Sequence, residues 1–361
     1  MICGGALATR RPARLLPPQK SHPGPDDAAT LRPGLKAKKT EAIGRFGDLK
    51  VLVLGDVMLD IYDFCDSKTS KASPEKPGKK VYKAQQSIRA LGGGGNVAAN
   101  LAALDVSTSL LSISGQDGHC FTLAALADEC GIDHILLKDP SRPTTTKTRL
   151  YIDGEYILRR DDEETQEVSA ATTAAILAEL SKRLGGVDAV ILSDYDKGFF
   201  SAAGTRQIIA LCQRQKVPVI VDFKPPNSAY FKGADIIAPN HIEARTLLPG
   251  FAPDGALESQ TGALYDRLEC RNLVVTLGAQ GLCGFTGSSF FRLPANSVEV
   301  VDSVGCGDTV RVGLALGYAL GLSLEEAMDL ANDTAAVVIQ KIGTATLTRA
   351  ELIEFIENKE D

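Results

Sequence analysis

One motif joins small residues to a carboxylate at the start of an apolar helical stretch. Gly305, Cys306, Gly307 and Asp308 stand just before Val310–Leu320. Small residues let the backbone approach a ligand, and the first N–H groups of a helix lack partners inside it. With the helix dipole these amides form an anion site, and they could hold the charge of a phosphoryl group while Asp308 takes a proton from a hydroxyl group. An Asp that only caps a helix after a glycine turn is the alternative.

A second glycine motif opens another helix. Gly92-Gly93-Gly94-Gly95-Asn96 precedes the Ala-rich stretch Val97-Ala98-Ala99-Asn100. The glycines remove side chains where a ligand must approach the backbone, and the Asn96 amide can both donate to and accept from a hydroxylated ligand. It is not a Walker A loop, because no Gly-Lys-Ser/Thr follows. A flexible turn before a close-packed helix remains the alternative.

Further polar groups follow short apolar runs. Asp56 and Asp60 leave the first run and suit a ligand with several hydroxyl groups, although helix capping would also explain them. Lys224 and Glu243 on adjacent loops suit a nucleotide phosphate and its hydrated Mg²⁺. Other candidates of this kind, each also consistent with a loop that solvates a strand end or with a hairpin turn, are Asp194, Asn240 and the turn Thr276–Gly281. The cations Lys147, Arg149, Arg159 and Arg160 could hold an anionic group, or could lie on a solvated sheet face.

The elements that must position these residues alternate regularly. Predicted strands are Val51–Leu54, Leu110–Ile113, Ala189–Leu192, Val217–Val221, Ile236–Ala238 and Leu273–Val275. Predicted helices between them are Asn96–Leu104, Leu123–Cys130, Ala170–Leu184, Gly204–Gln215 and Ala256–Leu268. Buried strands that alternate with helices predict an α/β fold, with a parallel sheet covered on both faces. Ligands of such sheets bind at the carboxyl ends of the strands, where the polar residues above are found.

Two regions depart from this rhythm. Segments 62–86 and 144–160 carry turn signals and strand-forming residues, so we expect short strands that form a small sheet over the site. Residues 1–47 are rich in proline and basic residues, and Asp26 is their first acidic residue. We expect them to be a disordered tail or an organellar targeting segment whose removal leaves activity unchanged, and we assign residues 48–361 to the folded domain.

Composition narrows the class of protein. The chain has 361 residues, 44% of them apolar, and a net charge of −6, which excludes collagen-like and wholly disordered chains and disfavours nucleic-acid binding. Since no apolar run approaches the roughly 20 residues of a membrane helix, we expect no membrane span. The eight cysteines are scattered without a Cys-x-x-Cys pair, so we expect thiols in a reducing, cytoplasmic location and neither a disulfide framework nor a zinc site.

In this order the motifs resemble the ribokinase-like (PfkB) carbohydrate kinase family, over about residues 47–356. Within that family the sequence is most similar to the D-glycero-β-D-manno-heptose 7-phosphate kinases. The matching segments are Gly-Asp-Val-Met-Leu-Asp (55–60), Ser-Pro-Glu (73–75), residues 92–100, Thr-Lys-x-Arg (146–149), Leu-Ser-Asp-Tyr-x-Lys-Gly (192–198), Pro-Asn-x-x-Glu (239–243) and Lys-x-Gly-Thr-x-Thr (341–346). The resemblance implies a three-layer sandwich with a mostly parallel central sheet and a small β lid. It also implies ATP-dependent phosphorylation of a sugar hydroxyl, in the heptose branch giving the 1,7-bisphosphate.

The resemblance also assigns roles to residues. It makes Asp308 the general base and Gly305, Cys306 and Gly307 the anion hole. It places in the sugar-phosphate pocket Asp56, Asp60, Gly92, Gly93, Asn96, Lys147, Arg159 and Asp194. It places at ATP or its Mg²⁺ Lys224, Asn240, Glu243, Thr276, Gly278, Gly281 and Asn332, with Glu243 acting on the metal through water. A monovalent cation is a further cofactor to consider, and the lid implies a homodimer.

Some residues depart from the family pattern. Cys306 replaces the usual Ala, Phe223 replaces a Pro, and Arg311-Val312 stands where a small residue is usual, which could reshape the pocket. No His-x-Gly-His motif of a fused nucleotidyltransferase is found, so we expect the kinase function alone. The alternatives are a kinase for ribose, fructose or fructose phosphate, and a catalytically silent sugar- or nucleotide-binding relative. A dinucleotide-dependent oxidoreductase is disfavoured because no Gly-x-Gly-x-x-Gly follows the first strand.

Overall fold

The computed structural model describes residues 25–341, 343 and 345–359, with the backbone alone for residues 25–33. The helices are α1 (Pro25–Gly44), α2 (Gly94–Ala103), α3 (Gly118–Glu129), α4 (Ala170–Arg183), α5 (Ala202–Gln215), α6 (His241–Leu247), α7 (Leu257–Leu268), α8 (Cys306–Ala319), α9 (Leu324–Val338) and α10 (Arg349–Asn358). The strands are β1 (Lys50–Gly55), β2 (Val57–Cys65), β3 (Lys71–Ala72), β4 (Lys80–Val81), β5 (Ala84–Gly93), β6 (Ser107–Ser114), β7 (Asp133–Lys138), β8 (Thr146–Ile152), β9 (Glu155–Asp162), β10 (Ala189–Ser193), β11 (Val219–Asp222), β12 (Ile236–Ile237), β13 (Asn272–Thr276), β14 (Leu282–Phe285) and β15 (Phe290–Leu293). Each predicted strand and helix corresponds to one of these elements.

The central sheet has nine strands in the order β15-β14-β13-β12-β11-β10-β1-β6-β7. The seven strands from β13 to β7 are parallel, and β14 and β15 add an antiparallel edge. Strands such as β1 and β10 are apolar on both faces because helices cover both sides of the sheet. The predicted α/β three-layer fold is confirmed, and the carboxyl ends of β1, β10, β11, β12 and β13 lie along one edge of the sheet.

Two apolar cores flank the sheet. One is packed by α1, α2, α8, α9 and α10 and includes Ile43, Leu101 and Leu314. The other is packed by α4, α5, α6 and α7 and includes Ile176, Ile208 and Leu264. Because helix α8 lies in the first core, its amino end reaches the strand ends from one face of the sheet.

A second sheet, which we call the lid, has the strand order β5-β2-β8-β9. Strands β2 and β8 are parallel, whereas β5 and β9 pair antiparallel to their neighbours. Strand β2 begins two residues after β1 ends, so the lid is joined directly to the carboxyl edge of the central sheet. Strand β8 and most of β9 fall in segment 144–160, whereas β2 and β5 lie mostly outside segment 62–86, and β3 and β4 form a separate two-stranded sheet.

The amino-terminal region differs from the prediction. Helix α1 ends at Gly44, and both Ile43 and Phe46 are fully buried in the core. Lys39 is also buried and forms ion pairs with Asp333 and Asp329 of α9. The predicted tail is therefore wrong for residues 34–47, because the apolar positions at its end were hidden by the basic, proline-rich composition before them. Residues 1–24 lie outside the described residues.

Two smaller predictions concern the environment of the chain. The seven cysteines of the described part are free thiols, and five of them are buried. Among the described helices, none combines the length and apolar character needed to cross a bilayer.

Candidate active site

Asp308 lies in the first turn of α8, and its carboxylate is held from two sides. Oδ2 accepts a hydrogen bond of 2.7 Å from Nδ2 of Asn96 on α2, and Oδ1 accepts one of 2.6 Å from the hydroxyl of Tyr195. Only 6% of Asp308 is exposed. Burial raises the pKa of Asp308, whereas the bonds from Tyr195 and Asn96 and the charge of Arg311 act in the opposite direction. A carboxylate that is oriented and raised in pKa suits a general base.

The backbone amides around Asp308 are only partly used by the protein. Gly305 has a left-handed conformation, with φ of 78°, which turns the chain into the helix. The amide of Cys306 donates to Ser303 O at 3.3 Å, whereas those of Gly305, Gly307 and Asp308 donate to none of the acceptors in the described residues. The amides left for an anion therefore include that of Asp308 itself, while that of Cys306 is engaged. Burial raises the pKa of the Cys306 thiol.

The tetraglycine turn lies beside this site. A Cβ atom on Gly92 would overlap the Asp60 carboxylate, and one on Gly93, where φ is +61°, would overlap Asp56 O. Asn96 follows two residues into α2 and reaches Asp308 across the cleft. The glycines are therefore required by close packing against the two aspartates.

The Asp56 carboxylate binds backbone amides of the protein. It accepts hydrogen bonds from the backbone amides of Tyr195, Lys197 and Phe199, at 2.7, 3.1 and 3.2 Å. Burial, followed by the nearby charge of Asp194, raises the pKa of Asp56 to about 7. Asp56 therefore shapes the loop that carries Tyr195, and its predicted contact with the sugar stays a prediction.

Asp194 ties two loops together. It accepts bonds from the amides of Asp196 and Lys224 at 2.8 and 3.2 Å and from the side chain of Asn227 at 3.0 Å. Burial raises the pKa of Asp194. The loops after β10 and β11 are thereby fixed relative to each other, and both carry site residues.

The lid supplies cations close to Asp60 and to the carboxylates that follow on β9. Arg149 donates from Nη1 to Oδ1 of Asp60 at 2.7 Å. Lys147 pairs with Asp161 at 2.9 Å and with Glu163 at 3.3 Å. Arg159 pairs with Asp161 but its side chain is 48% exposed, so it lies at the rim. Arg149, which the sequence marked only as one of four lid cations, is the one bonded to a predicted sugar-binding carboxylate.

A fourth cation, Lys197, joins this group from the loop after β10. Its Nζ lies 2.7 Å from Glu163, which Lys147 also contacts. The two lysines and two carboxylates therefore form a linear chain of ion pairs, in the order Lys197, Glu163, Lys147 and Asp161.

The predicted nucleotide residues lie along the ends of β11, β12 and β13. Lys224 pairs with Glu243 at 2.7 Å, and the other Glu243 oxygen accepts from the Asn240 amide at 2.9 Å. Asn240 caps α6 and pairs with Thr276 through a backbone bridge. Burial alone would lower the pKa of Lys224, but the charges of Asp222 and Glu243 raise it, so the ammonium form is kept.

Gly278, Gly281 and Asn332 complete this edge. A Cβ atom on Gly281, where φ is +89°, would overlap Leu293 O, and Gly278 has φ of +61° beside His241. Asn332 on α9 donates to Pro294 O at 2.8 Å. The turn 278–281, the chain at 293–294 and α9 are therefore packed side by side, although they are distant in the chain.

Tyr195 and Arg311 are site residues to which the sequence assigned no role. Tyr195 bonds to Asp308, and the Lys224 ammonium lies 5.3 Å from the centroid of the Tyr195 ring. Arg311 is buried next to Asp222, with which it forms an ion pair. The sequence signals were the position of Tyr195 directly after a strand-end Asp and, for Arg311, a charge within an apolar helix where the family usually has a small residue.

Comparison with known proteins identifies the family. The pattern of the pfkB family of carbohydrate kinases matches residues 48–350. The chain belongs to this family. Bifunctional protein HldE of a Nitratiruptor species is 38% identical over 308 residues, which are 85% of this chain and 64% of that protein. HldE of Caulobacter vibrioides is 37% identical over 331 residues, 91% of this chain and 65% of that protein. The chain spans slightly less than two thirds of these relatives.

Solved structures agree on the fold of this pfkB kinase. Escherichia coli phosphofructokinase-2 in its tetrameric inhibited form has a TM-score of 0.69 at 16% identity, covering 86% of this chain and 98% of that chain. Arabidopsis thaliana ribokinase has a TM-score of 0.66 at 21% identity, covering 86% and 99%. The protein thus has the ribokinase-like fold and is a member of the pfkB family of carbohydrate kinases.

Proposed function

We propose that this pfkB kinase transfers the γ-phosphoryl group of ATP to the anomeric hydroxyl of D-glycero-β-D-manno-heptose 7-phosphate. The product would be the 1,7-bisphosphate. The observation that carries the kinase chemistry is the buried Asp308 carboxylate beside the amides of Gly307 and Asp308, which have no acceptor among the described residues. The identity of 34–38% to HldE proteins over most of the chain supports the heptose branch.

The lid cations support a substrate that already carries a phosphate. Lys147 and Lys197 share Glu163, and Arg149 reaches Asp60 at the same side of the cleft. Charge-assisted bonds from several cations suit a phosphate group better than a neutral sugar hydroxyl. The second oxygen of the Asp60 carboxylate would accept a hydrogen bond from a sugar hydroxyl group, since the first is bonded to Arg149.

The proposed transfer moves one proton and one phosphoryl group. Asp308 accepts the proton of the attacking hydroxyl, the hydroxyl oxygen bonds to the γ-phosphorus, and the bond from that phosphorus to the bridging oxygen of ADP breaks. The free amides at the start of α8 stabilise the negative charge of the phosphoryl group during this step. Lys224, which follows β11 and pairs with Glu243, would bind a nucleotide phosphate through its ammonium group.

Magnesium fits this site as an ion held chiefly by phosphates and water. No group of three or more candidate ligands (His, Cys, Asp or Glu) is found in the described part of the chain. Mg²⁺ in kinases commonly uses only one or two carboxylates together with substrate phosphates. Glu243 is buried and bonded to Lys224 and Asn240, and its free lone pairs suit a contact to the metal through water. When bound, the metal would neutralise charge on the nucleotide phosphates.

We also propose a homodimer through the lid. Apolar side chains are exposed on its strands, including Ile88, Ile157 and Leu158. Exposed apolar patches mark interaction surfaces, and a second lid would cover this one. Sedimentation of the native chain should give a dimer mass, and Leu158→Asp should give a monomer. A monomeric native chain would refute the dimer without affecting the kinase proposal.

The decisive experiment is an ADP-release assay with MgATP and a panel of acceptors. We expect kcat/KM for the heptose 7-phosphate to exceed the values for fructose 6-phosphate, fructose and ribose by at least about tenfold. The reason is that the site stabilises the transition state best for the acceptor whose groups match its contacts. Preference for another acceptor would overturn the heptose assignment. ATP binding without ADP release for any acceptor would instead support a catalytically silent relative.

A further inference from the structure

Arg311 is a charged residue buried at the centre of the site. It lies three residues after Asp308 on α8, and 5% of it is exposed. Nη2 donates to Oδ1 of Asp222 at 2.5 Å and to Ala238 O at 2.9 Å. Both acceptors stand at the carboxyl ends of strands, on β11 and directly after β12. The guanidinium group therefore lies between the sheet edge and helix α8.

The side chain of Arg311 runs back towards the amino end of its helix, as side chains on helices do. Its Nη1 reaches the backbone of Gly307, where a Cβ atom would overlap it. Gly307 thus makes room for the guanidinium group behind the proposed anion site. The Nε of Arg311 is buried and donates to none of the described residues, so the cation is not saturated by its neighbours.

The charges around this cation are mostly negative. Burial would lower the pKa of Arg311, but Asp222, Asp308 and Glu243 raise it. The groups that face Asp308 come from several elements: Tyr195 follows β10, Lys224 follows β11, and Asn96 lies on α2. Asp222 on β11 and Cys306 on α8 complete this environment. Three buried carboxylates, those of Asp222, Asp308 and Glu243, thus lie near only two cations, Arg311 and Lys224.

We propose that Arg311 is an electrostatic positioning residue for phosphoryl transfer, which keeps Asp308 ionised and supports the anion site from behind. This inference rests on the proposed kinase chemistry, and it assigns Asp222 and Ala238 O the task of holding the guanidinium group in place. A fixed opposite charge near a buried carboxylate favours its ionised form, which is the form that accepts a proton. The cation also adds to the positive end of the helix dipole.

A purely structural ion pair would predict different behaviour. If Arg311 only neutralised Asp222, replacing both residues with uncharged side chains of similar shape would restore both the fold and the activity, because such replacement of a buried pair is often tolerated. If Arg311 acts on Asp308, the same double variant would recover stability but not kcat. The two roles can therefore be separated in one set of variants.

The test compares Arg311→Met, Arg311→Lys and the double variant Asp222→Asn/Arg311→Met, with Arg267→Met on the exposed side of α7 as the control. We expect Arg311→Met to lower kcat at pH 7 by about 10- to 100-fold, with the KM for ATP changed by less than about threefold. The acidic limb of its pH–kcat profile should move up by about one pH unit or more. Arg311→Lys should retain most of the wild-type pH–kcat profile. The double variant should keep its acidic limb at the higher pH of Arg311→Met while regaining thermal stability.

Because Arg311→Met removes a partner of a buried carboxylate, it could fail to fold, and the double variant then carries the test. A double variant with wild-type kcat and a wild-type acidic limb would overturn the proposal. A soluble Arg311→Met enzyme with unchanged kcat and pH profile would overturn it as well. Failure of the kinase proposal looks different, because the wild-type chain itself would then release no ADP with any acceptor.

Discussion

The hydroxyl of Tyr195 donates a hydrogen bond of 2.6 Å to Oδ1 of Asp308. Tyr195 is in turn placed by Asp56, whose carboxylate binds the amides of the loop 195–199. A carboxylate at the end of β1 therefore controls the orientation of a carboxylate on α8 through a loop that follows β10. Burial raises the pKa of the Tyr195 phenol well above its ordinary value, so Tyr195 stays a hydrogen-bond donor at every working pH.

Replacing the base should remove turnover and spare nucleotide binding. We expect Asp308→Asn to lower kcat by ~10²-fold or more, because a positioned general base contributes about 10²–10⁴-fold. The dissociation constant for ATP, measured by calorimetry, should change little, since the amides of α8 remain. Asp266→Asn on the exposed side of α7 is the matched control. An Asp308→Asn enzyme with wild-type turnover would exclude this residue as the base.

The pH dependence should reveal the environment of Asp308. Because burial raises its pKa, kcat/KM should fall with decreasing pH at values above the ordinary Asp range. The Tyr195 hydroxyl stabilises the ionised form, so Tyr195→Phe should move this acidic limb to higher pH and reduce activity more at about pH 6 than at about pH 8.5. Tyr230→Phe, whose hydroxyl bonds to exposed Glu167, is the control. If the acidic limb of Tyr195→Phe lies at the same pH as that of the native protein, Tyr195 does not affect the pKa of Asp308.

Asp56 should contribute to the pH dependence of stability. Its pKa in the folded state is about 7, raised by burial, and is thus above the value of an unfolded Asp. The folded chain then binds this proton more tightly, so the free energy of unfolding decreases as pH rises from about 4 to about 7. Asp56→Asn cannot ionise, and urea denaturation at about pH 5 and about pH 8 should show a smaller decrease for it. The same decrease in both proteins would contradict the assignment.

Truncation of the amino terminus should destabilise the protein once it passes into α1. Removing residues 1–47 deletes Phe46 and Ile43 from the core and the Lys39 partner of buried Asp333. Loss of a buried Phe side chain alone costs about 3–5 kcal/mol. We expect a lower Tm by calorimetry, or failure to fold, whereas removal of residues 1–24 should leave Tm and activity nearly unchanged. A stable 48–361 chain with full activity would restore the tail interpretation.

Arg149, the lid cation bonded to Asp60, should affect the binding of the sugar substrate and not that of ATP. Arg149→Met breaks the 2.7 Å bond to Asp60, whose side chain is 5% exposed, and removes one positive charge from the sugar side. We expect the KM for the sugar phosphate to rise about tenfold or more and the KM for ATP to change little. Arg160→Met, on a side chain that is 68% exposed, is the matched control. Equal effects on both KM values would argue for a general loss of the lid structure.

The architecture and the position of the candidate site were accessible without coordinates. Buried strands between amphipathic helices have a local signature, and parallel strands must gather their carboxyl ends at one edge. Glycines before a helix carry a similar local signal, which pointed to Gly305–Asp308 as an anion site. The confirmed fold and family therefore follow from patterns that each depend on a few neighbouring residues.

The hydrogen-bond and ion-pair partners of the site residues could not be predicted from the sequence in this way. Asn96 and Asp308 are separated by 212 positions, and Arg149 and Asp60 by 89. No local pattern shows that Asp56 serves backbone amides, that Tyr195 holds the carboxylate on α8, or that Arg311 pairs with Asp222. The basic composition before Ile43 likewise hid a helix that packs on α9 and α10. Short-range patterns specify elements and their order, whereas the pairing of buried charges depends on which distant side chains are left without water when the elements pack.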